Sequence, residues 1–403
     1  MKHIVYLSYD GITDPLGESQ ILPYLFGINK VNEYKLTIIS FEKKKPLNEL
    51  KFKISYKLSA SNIDWIPLKY IKSPPIISTL IDLYKLKRIL INLLNKSEID
   101  LIHARSYITS LIALRFKKSH NIPFIFDMRG FFADERIDGK IWNKEHFLFR
   151  KVYKFFKKKE SEFLQYSNHT ISLTNSGKNE IHSWGLSNLS PITVIPCCTD
   201  KNLFKRENIK DLRKELEIKE SDFIISYVGS TGTWYMLDEM LEFFKVLVLK
   251  KSNAKFLFIT KDNKEKIYQK CSQKNISKDS IIIKESSREM MPSYIGISDF
   301  SIFFILPFYS KKASSPTKMG EIMNLGIPII CNSGVGDVDE VMEKSMPELL
   351  LKKFTNTEYL RIINVIMNDT KIEKKIIIET SQNYYSLNKG VIKYLDIYKQ
   401  ILN

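Results

Sequence analysis

Short, unbroken apolar runs alternate with longer stretches of helical periodicity along this 403-residue chain, and the series occurs twice. The first set of runs is His3–Ser8, Lys35–Phe41, Asp100–His103, Pro123–Asp127, His169–Thr174 and Thr193–Pro196. The second is Phe223–Val228, Lys255–Thr260, Ser280–Lys284, Phe300–Ile305, Pro328–Cys331 and Leu349–Leu351. Runs apolar on both faces suit strands covered on both sides, as in a parallel sheet flanked by helices. Between them Leu237, Met240, Leu241, Phe244 and Val248 recur at helical spacing, as do Leu360, Ile363 and Met367. The pattern predicts an α/β chain of two doubly wound, Rossmann-like parallel-sheet domains. The polar stretch TDKNLFKRENIKD puts the break near residues 203 and 204, giving domains 1–203 and 204–385. The last segment, 386–403, is amphipathic, with Val391, Tyr394, Leu395 and Tyr398 on one face.

In such sheets ligands sit beyond the carboxyl ends of the strands. Four loops at those ends carry chemistry. DGITDPLGESQ, which includes Gly17 and Gln20, leads into a helix expected near Ser19 and offers backbone N–H groups to an anion or a hydroxyl. A plain strand-to-helix turn fits the same residues. DMRGFFADER packs Asp127, Arg129, Asp134, Glu135 and Arg136 into ten residues. Here Arg129 suits a phosphate or carboxylate, and Asp134 and Glu135 suit hydroxyls. GSTGTWY, with Gly229, Ser230 and Thr231, lets a ligand approach the backbone closely. The most informative is KKASSPTKMGEIMNLGIP. Ser315 reads as an N-cap, Pro316 as the first helical residue and Gly326 as the stop. Free N–H groups, the hydroxyls of Ser314, Ser315 and Thr317, and Lys318 form a phosphate cradle without a P-loop. Glu321, one turn on, suits vicinal hydroxyls such as those of ribose.

The absence of GxGxxG and of a Walker motif argues against dehydrogenase and P-loop chemistry. The net charge of +17 favours anionic partners, but no helix-turn-helix or aromatic RNA motif accompanies it, so no specific nucleic acid is expected. The excess is concentrated early: residues 1–200 carry 30 Lys and Arg against 19 Asp and Glu. Arg150–Lys159 interleaves basic and aromatic residues and fits either a helix on an anionic membrane or one half-packed on a core. Cys197, Cys198, Cys271 and Cys331 show no metal-ligand spacing, and the start MKHIVYLSYDG lacks a secretory apolar core. No membrane span, no metal, and a reduced, cytoplasmic setting are expected, with contact at the inner membrane face limited to the periphery.

At these motifs the sequence resembles retaining glycosyltransferases of family 4, of GT-B fold. SSPTKMGEIMNLGIPIICNSGVGDVDEV resembles that family's donor-binding signature, and VIPCCTDKNLF its interdomain segment. DGITDPLGESQ and DMRGFFADER resemble a bacterial polysaccharide-type branch. The resemblance implies two Rossmann-like domains facing across a cleft, with the C-terminal helix returning to the first. It implies a nucleotide-sugar donor held by the second domain, a glycan or lipid-linked acceptor held by the first, and no essential metal. Glu321 matches the second Glu of the family's E-x7-E motif, which binds ribose, while the first falls at Ala313. Ser230 and Tyr235 stand near the places of the family's diphosphate-gripping Arg and Lys, and Asp127 near its sugar-contacting His.

For such a transfer Lys318 and the helix start at Ser315–Thr317 are expected to stabilise the leaving phosphate, and Asp127 to orient a donor hydroxyl or support the developing positive charge. The missing Arg/Lys pair leaves two donor classes open, a nucleoside diphosphate sugar and a CMP-linked sugar acid. A nucleotide-sugar epimerase and a non-catalytic nucleotide-sugar binder are the alternatives to transfer.

Overall fold

Every one of the twelve apolar runs forms a strand. The computed structural model describes residues 1–43, 48–368 and 372–403. Thirteen strands occur among them. The first seven are β1 (Lys2–Ser8), β2 (Tyr34–Glu42), β3 (Ile63–Lys69), β4 (Leu101–Arg105), β5 (Phe124–Asp127), β6 (His169–Ser172) and β7 (Ile192–Val194). They make one parallel sheet in the order β3-β2-β1-β4-β5-β6-β7. The other six are β8 (Phe223–Val228), β9 (Ala254–Ile259), β10 (Ile281–Lys284), β11 (Phe300–Phe303), β12 (Ile329–Asn332) and β13 (Leu350–Leu351). They pair in parallel as β10-β9-β8-β11-β12-β13. Strand order reverses between β1 and β4 in the first sheet and between β8 and β11 in the second. Ligands of doubly wound sheets gather at such reversals.

The strand that the apolar pattern misses is β3. It lies at the edge of its sheet, alternates between covered and open residues, and contains Pro67. An edge strand tolerates a proline and one wet face, so it lacks the continuous apolar signature.

The chain divides into Met1–Pro196 with Leu387–Asn403, and Cys197–Ser386. The final helix, Leu387–Leu402, belongs to the first unit and buries Val391, Tyr394, Ile397 and Tyr398 there. Residues 197–203 fall in the second unit, where the Thr199 N–H donates to the Tyr385 carbonyl at 2.7 Å and Phe204 joins the core. That core centres on Phe243, Phe244, Phe256 and Phe258.

Two local expectations are corrected. The helix expected near Ser19 starts at Pro15, whose fixed φ suits a first turn, and runs to Gln20. The helix Asn356–Met367 buries Tyr359, Ile362, Ile363 and Ile366 and leaves Leu360 and Met367 exposed, because its stripe is rotated by one residue.

Gly320 lies in the helix Thr317–Asn324, against the paired Thr199 and Tyr385 segments. A Cβ there would stand 2.6 Å from Thr199 Oγ1 and 2.8 Å from Tyr385 Cβ. Gly320→Ala is therefore expected to destabilise the protein by about 1–3 kcal/mol through overpacking. Denaturant unfolding checks this, and an unchanged midpoint would show that the two segments yield.

Candidate functional site

In the second unit β8 ends at Val228, and Gly229 turns the chain with φ +111°, a backbone conformation that favours glycine. Below that turn lies Lys318, the second residue of the helix Thr317–Asn324. A Cβ on Gly229 would be 3.2 Å from Lys318 Nζ, so the ammonium rests directly against the glycine. Lys318 is buried, and its Nζ has no hydrogen-bond partner among the described residues. It faces the rings of Tyr235 at 3.6 Å and Tyr227 at 4.2 Å from their centroids. Burial pushes the Lys318 pKa well below the ordinary lysine value, and the Glu321 carboxylate offsets this only in part.

The loop after Gly229 is held by Asp262, which sequence reading did not single out. Its Oδ2 accepts from the Thr231 N–H, the Thr231 hydroxyl at 2.8 Å and the Ser230 hydroxyl at 3.2 Å. The Tyr227 hydroxyl donates to the Ser230 carbonyl from below. These bonds fix Ser230 and Thr231 as a turn directly beside the lysine.

The helix start differs from the expected cap. Pro316 is the N-cap, Thr317 the first helical residue, and no side chain caps the helix. Ser315 Oγ instead accepts from the Cys197 N–H at 3.1 Å, anchoring the segment that enters the unit. Ser314, half-buried, closes the preceding turn through its N–H on the Lys311 carbonyl at 3.1 Å. The helix stops at Gly326, whose φ of +68° provides the left-handed residue anticipated there. Lys311 packs its ammonium on Trp234 at 3.6 Å, and Lys312 is exposed.

Glu321 is buried and receives Arg288 Nη1 at 2.6 Å on Oε1. Burial raises its pKa and Arg288 works against that. Arg288 in turn lies 4.6 Å over the Phe204 ring. Arg288 sits in a loop 33 residues upstream, and no spacing rule connects it to Glu321.

In the first unit a separate group of charges gathers where strand order reverses. Register pairs Ser8 of β1 with Arg105 of β4, and Arg105 with Asp127 of β5. Asp127 is fully buried, facing Arg105 Nη1 at 3.7 Å, Arg129 Nη1 at 3.8 Å and His103 Nε2 at 3.6 Å. Burial pushes its carboxyl up, but Arg129, His103 and Arg105 outweigh this and hold it below the usual carboxylate range. Burial also lowers the His103 pKa, and its Nδ1 lies 2.7 Å from the Tyr398 hydroxyl. The Tyr394 hydroxyl reaches Asp127 at 3.5 Å. Arg129 and Ser106, the residue after Arg105, hold left-handed φ of +61° and +69°, a strained backbone at two strand ends.

The remaining first-unit residues have mainly local partners. Gly17 packs so tightly on the Gly11 carbonyl and the Ile12 backbone that any side chain would collide. Gln20 is buried at the end of its helix. Glu42 organises this loop by accepting from the Ile12 N–H at 3.0 Å and from Thr13. Asp134 accepts from the Tyr153 hydroxyl at 2.8 Å and from Lys157 at 2.9 Å, tying the helices Phe132–Asp138 and Phe147–Tyr166 together. Glu135 is half-buried on the first of these. The second buries Phe156 and Phe163 yet exposes Phe147, Leu148 and Phe155 among its lysines. Among the described residues no helix is long and apolar enough to cross a membrane.

Residues 32–203 match the family model described as Glycosyltransferase Family 4, and residues 208–383 the model described as Glycosyl transferases group 1. No curated protein matches the chain. Among solved structures, sucrose-phosphate synthase from Thermosynechococcus elongatus superposes with a TM-score of 0.75 at 14% identity, over 100% of this chain and 99% of its own. HepE from Anabaena, in complex with UDP and glucose, gives 0.69 at 13% identity over 99% and 100%. The UDP-GlcNAc 2-epimerase of Neisseria meningitidis, bound to UDP-GlcNAc, gives 0.60 at 12% identity over 99% and 100%. With a glycosyltransferase model matching each half and a doubly wound parallel sheet in each unit, the chain belongs with the glycosyltransferases of GT-B architecture.

Proposed function

We propose that this protein moves a sugar, with retention, from a nucleotide-sugar donor to a hydroxyl of a glycan or lipid-linked acceptor in the synthesis of bacterial surface polysaccharide or glycoconjugate. The observation that carries the reading is Lys318. A buried ammonium with no hydrogen-bond partner among the described residues, beside a glycine turn and a helix start, is an anion site waiting for its counter-charge.

In this reading the departing phosphate settles on Lys318 and the open N–H groups near Thr317, with the turn at Gly229, Ser230 and Thr231 against it. Positive charge fixed in place before the bond breaks stabilises the leaving group without reorganisation, and no metal is needed for that step. Glu321, steadied by Arg288, is assigned to the ribose hydroxyls through the oxygen Arg288 leaves open. Asp127 positions a sugar hydroxyl in the first unit, and Gln20 and Glu135 lie on the same side of the proposal as acceptor contacts. Asp134 is left out, since both its oxygens are bonded within the fold. The HepE complex holds UDP and glucose, which supports a uridine or related nucleoside diphosphate donor here. Retention rests on the likeness of the Ser314–Pro328 segment to family 4. The exposed Phe147, Leu148 and Phe155 among lysines support peripheral contact with an anionic, cytoplasmic membrane face, where lipid-linked acceptors reside.

Thermal unfolding with UDP, GDP, CMP, ADP and NAD tests the donor class. A nucleoside diphosphate at a hundred times its dissociation constant is expected to add about 2.7 kcal/mol of stability, while NAD adds none. Stabilisation by CMP alone would assign a monophosphate-linked donor. No stabilisation by any nucleotide would overturn the reading.

A further inference from the structure

We propose that the helix Ile77–Leu94 of the first unit seats this protein on an anionic lipid bilayer, with Ile77, Leu80, Ile81 and Tyr84 entering the headgroup layer and Lys87 and Arg88 resting on lipid phosphates. The inference deepens the transferase reading and rests on it for one point, that the acceptor is lipid-linked.

This helix has a covered stripe and an open one. Ser78, Asp82, Leu83, Leu86 and Leu90 recur at helical spacing and are buried. On the opposite stripe Ile77, Leu80, Ile81, Tyr84 and Ile91 are exposed, Leu80 at 59% and Tyr84 at 61%. Exposed apolar residues scattered singly need no explanation, but five along one face of an eighteen-residue helix do. The charges around them have one sign. Asp82 is the helix's single acid, and it is fully buried, accepting from the Tyr9 hydroxyl at 3.1 Å and facing Lys85 Nζ at 3.4 Å. Lys87 and Arg88 are exposed, with the Arg88 guanidinium 5.9 Å from the centre of the Tyr84 ring. An apolar stripe edged by cations and free of exposed acid suits a helix lying in a lipid headgroup layer. There the aliphatic stems follow the apolar face while the charged ends reach phosphate.

Its place in the fold agrees. The connections β3 to β4, β4 to β5 and β5 to β6 run the same way across the sheet, so right-handed crossovers put their helices on one face. Ile77–Leu94 packs on Ser106–His120, and that helix packs on Phe147–Tyr166. The middle helix exposes Arg115 and Lys118, and the third exposes Phe147, Leu148 and Phe155 with Lys151, Lys154 and Lys158. Their acids are withdrawn: Glu160 is buried against Lys157, and Glu162 is held by Lys159 at 2.9 Å. One layer thus presents apolar and basic groups together. Each outer helix ends shortly before the next strand starts, so its first half lies toward the carboxyl ends of the strands, where β5 ends in Asp127. A second copy of this chain is the poorer occupant. A two-fold contact through this stripe brings the cations of one copy against those of the other, with no exposed acid on the helix to meet them.

Full-length protein is sedimented with vesicles of phosphatidylcholine alone and of an equal mixture with phosphatidylglycerol, at low and at high salt. Binding to the mixed vesicles is expected to be roughly tenfold tighter than to the neutral ones and to weaken at high salt. The double variant Leu80→Gln/Tyr84→Gln is expected to lose about tenfold in binding while its thermal midpoint stays unchanged, both side chains being exposed. Lys87→Gln/Arg88→Gln is expected to erase the preference for anionic vesicles. Leu249→Gln, which replaces an exposed apolar residue of the second unit, is expected to bind as wild type does. Equal binding to both vesicle types, binding to neither, or wild-type binding by the Leu80→Gln/Tyr84→Gln variant would overturn the seat. So would a dimer in lipid-free ultracentrifugation that those two substitutions dissociate. Failure of UDP to stabilise the wild type would instead count against the transferase reading, whatever the vesicles show.

Discussion

Replacing Lys318 by methionine is expected to lower turnover about a hundredfold and, at the same time, to make the unliganded protein more stable at neutral pH. The two effects share one cause. A charge-assisted donor aimed at the leaving phosphate acts in a water-excluded site, where loss of one such group typically costs about 3 kcal/mol of barrier. Without ligand the same ammonium is buried among Tyr235, Tyr227 and the Gly229 turn, with no hydrogen-bond partner among the described residues. Methionine fills that space with an apolar, adaptable chain and brings no charge to desolvate.

The pH dependence fixes the sign. Lys318 has a folded-state pKa pushed down by burial, so between that value and the unfolded value of about 10.4 the unfolded chain binds the extra proton. Wild-type stability therefore climbs with pH through that window, and the methionine variant lacks the climb. The stability gap between them is widest on the acid side of the window and closes as pH approaches the ordinary lysine value. Bound phosphate reverses the preference by favouring the ammonium, so nucleotide binding takes up a proton and weakens as pH rises. Thermal melts from pH 6 to 10, with and without UDP, read all of this. A variant less stable than wild type at pH 7, or one with unchanged kcat, would remove Lys318 from the phosphate site.

Strand positions were legible because burial on both faces writes a continuous apolar run, and the loops at strand ends followed from the fold class. The edge strand β3 was not, since one wet face and Pro67 erase that signature. Within the second unit, Gly229 and Lys318 are 89 positions apart in the chain but are named together by the rule that strand-end loops converge. Their partners were harder to see. Asp262 and Arg288 lie in loops whose composition is ordinary, and only the packed structure brings them to Thr231 and Glu321. Ser315 read as a cap from its local pattern, yet a long-range donor, the Cys197 N–H, takes its hydroxyl. Tertiary competition for one acceptor is invisible to a local motif. Arg105 was missed for a related reason: the apolar run Asp100–His103 was read as ending two residues early, and the arginine that follows is the last residue of β4.

Asp127→Asn is expected to destabilise the protein by about 3–5 kcal/mol, more than a surface or loop aspartate could. The substitution keeps the shape and removes the carboxylate that faces the buried Arg105 and the half-buried Arg129, weakening the compensation of both guanidiniums. The loss is conditional on those arginines, which a double-mutant cycle exposes: Asp127→Asn in an Arg105→Met background is expected to cost far less than alone. The sign of the acid response follows from the carboxyl's depressed folded-state pKa. Stability from the ionised form is present above the unfolded value of about 3.9 and is lost as pH falls through the lower folded value, so the difference between wild type and variant is constant near neutrality and narrows only below that range. Denaturant unfolding at pH 3 and pH 7 measures it. Additive effects of the two substitutions would show that Asp127 does not balance Arg105. Turnover is to be compared only at temperatures where both proteins are folded, because a fall in activity from unfolding says nothing about catalysis. If the folded Asp127→Asn variant then turns over at the wild-type rate, Asp127 is a counter-ion that keeps the arginines in place, and the hydroxyl-positioning role assigned to it is wrong.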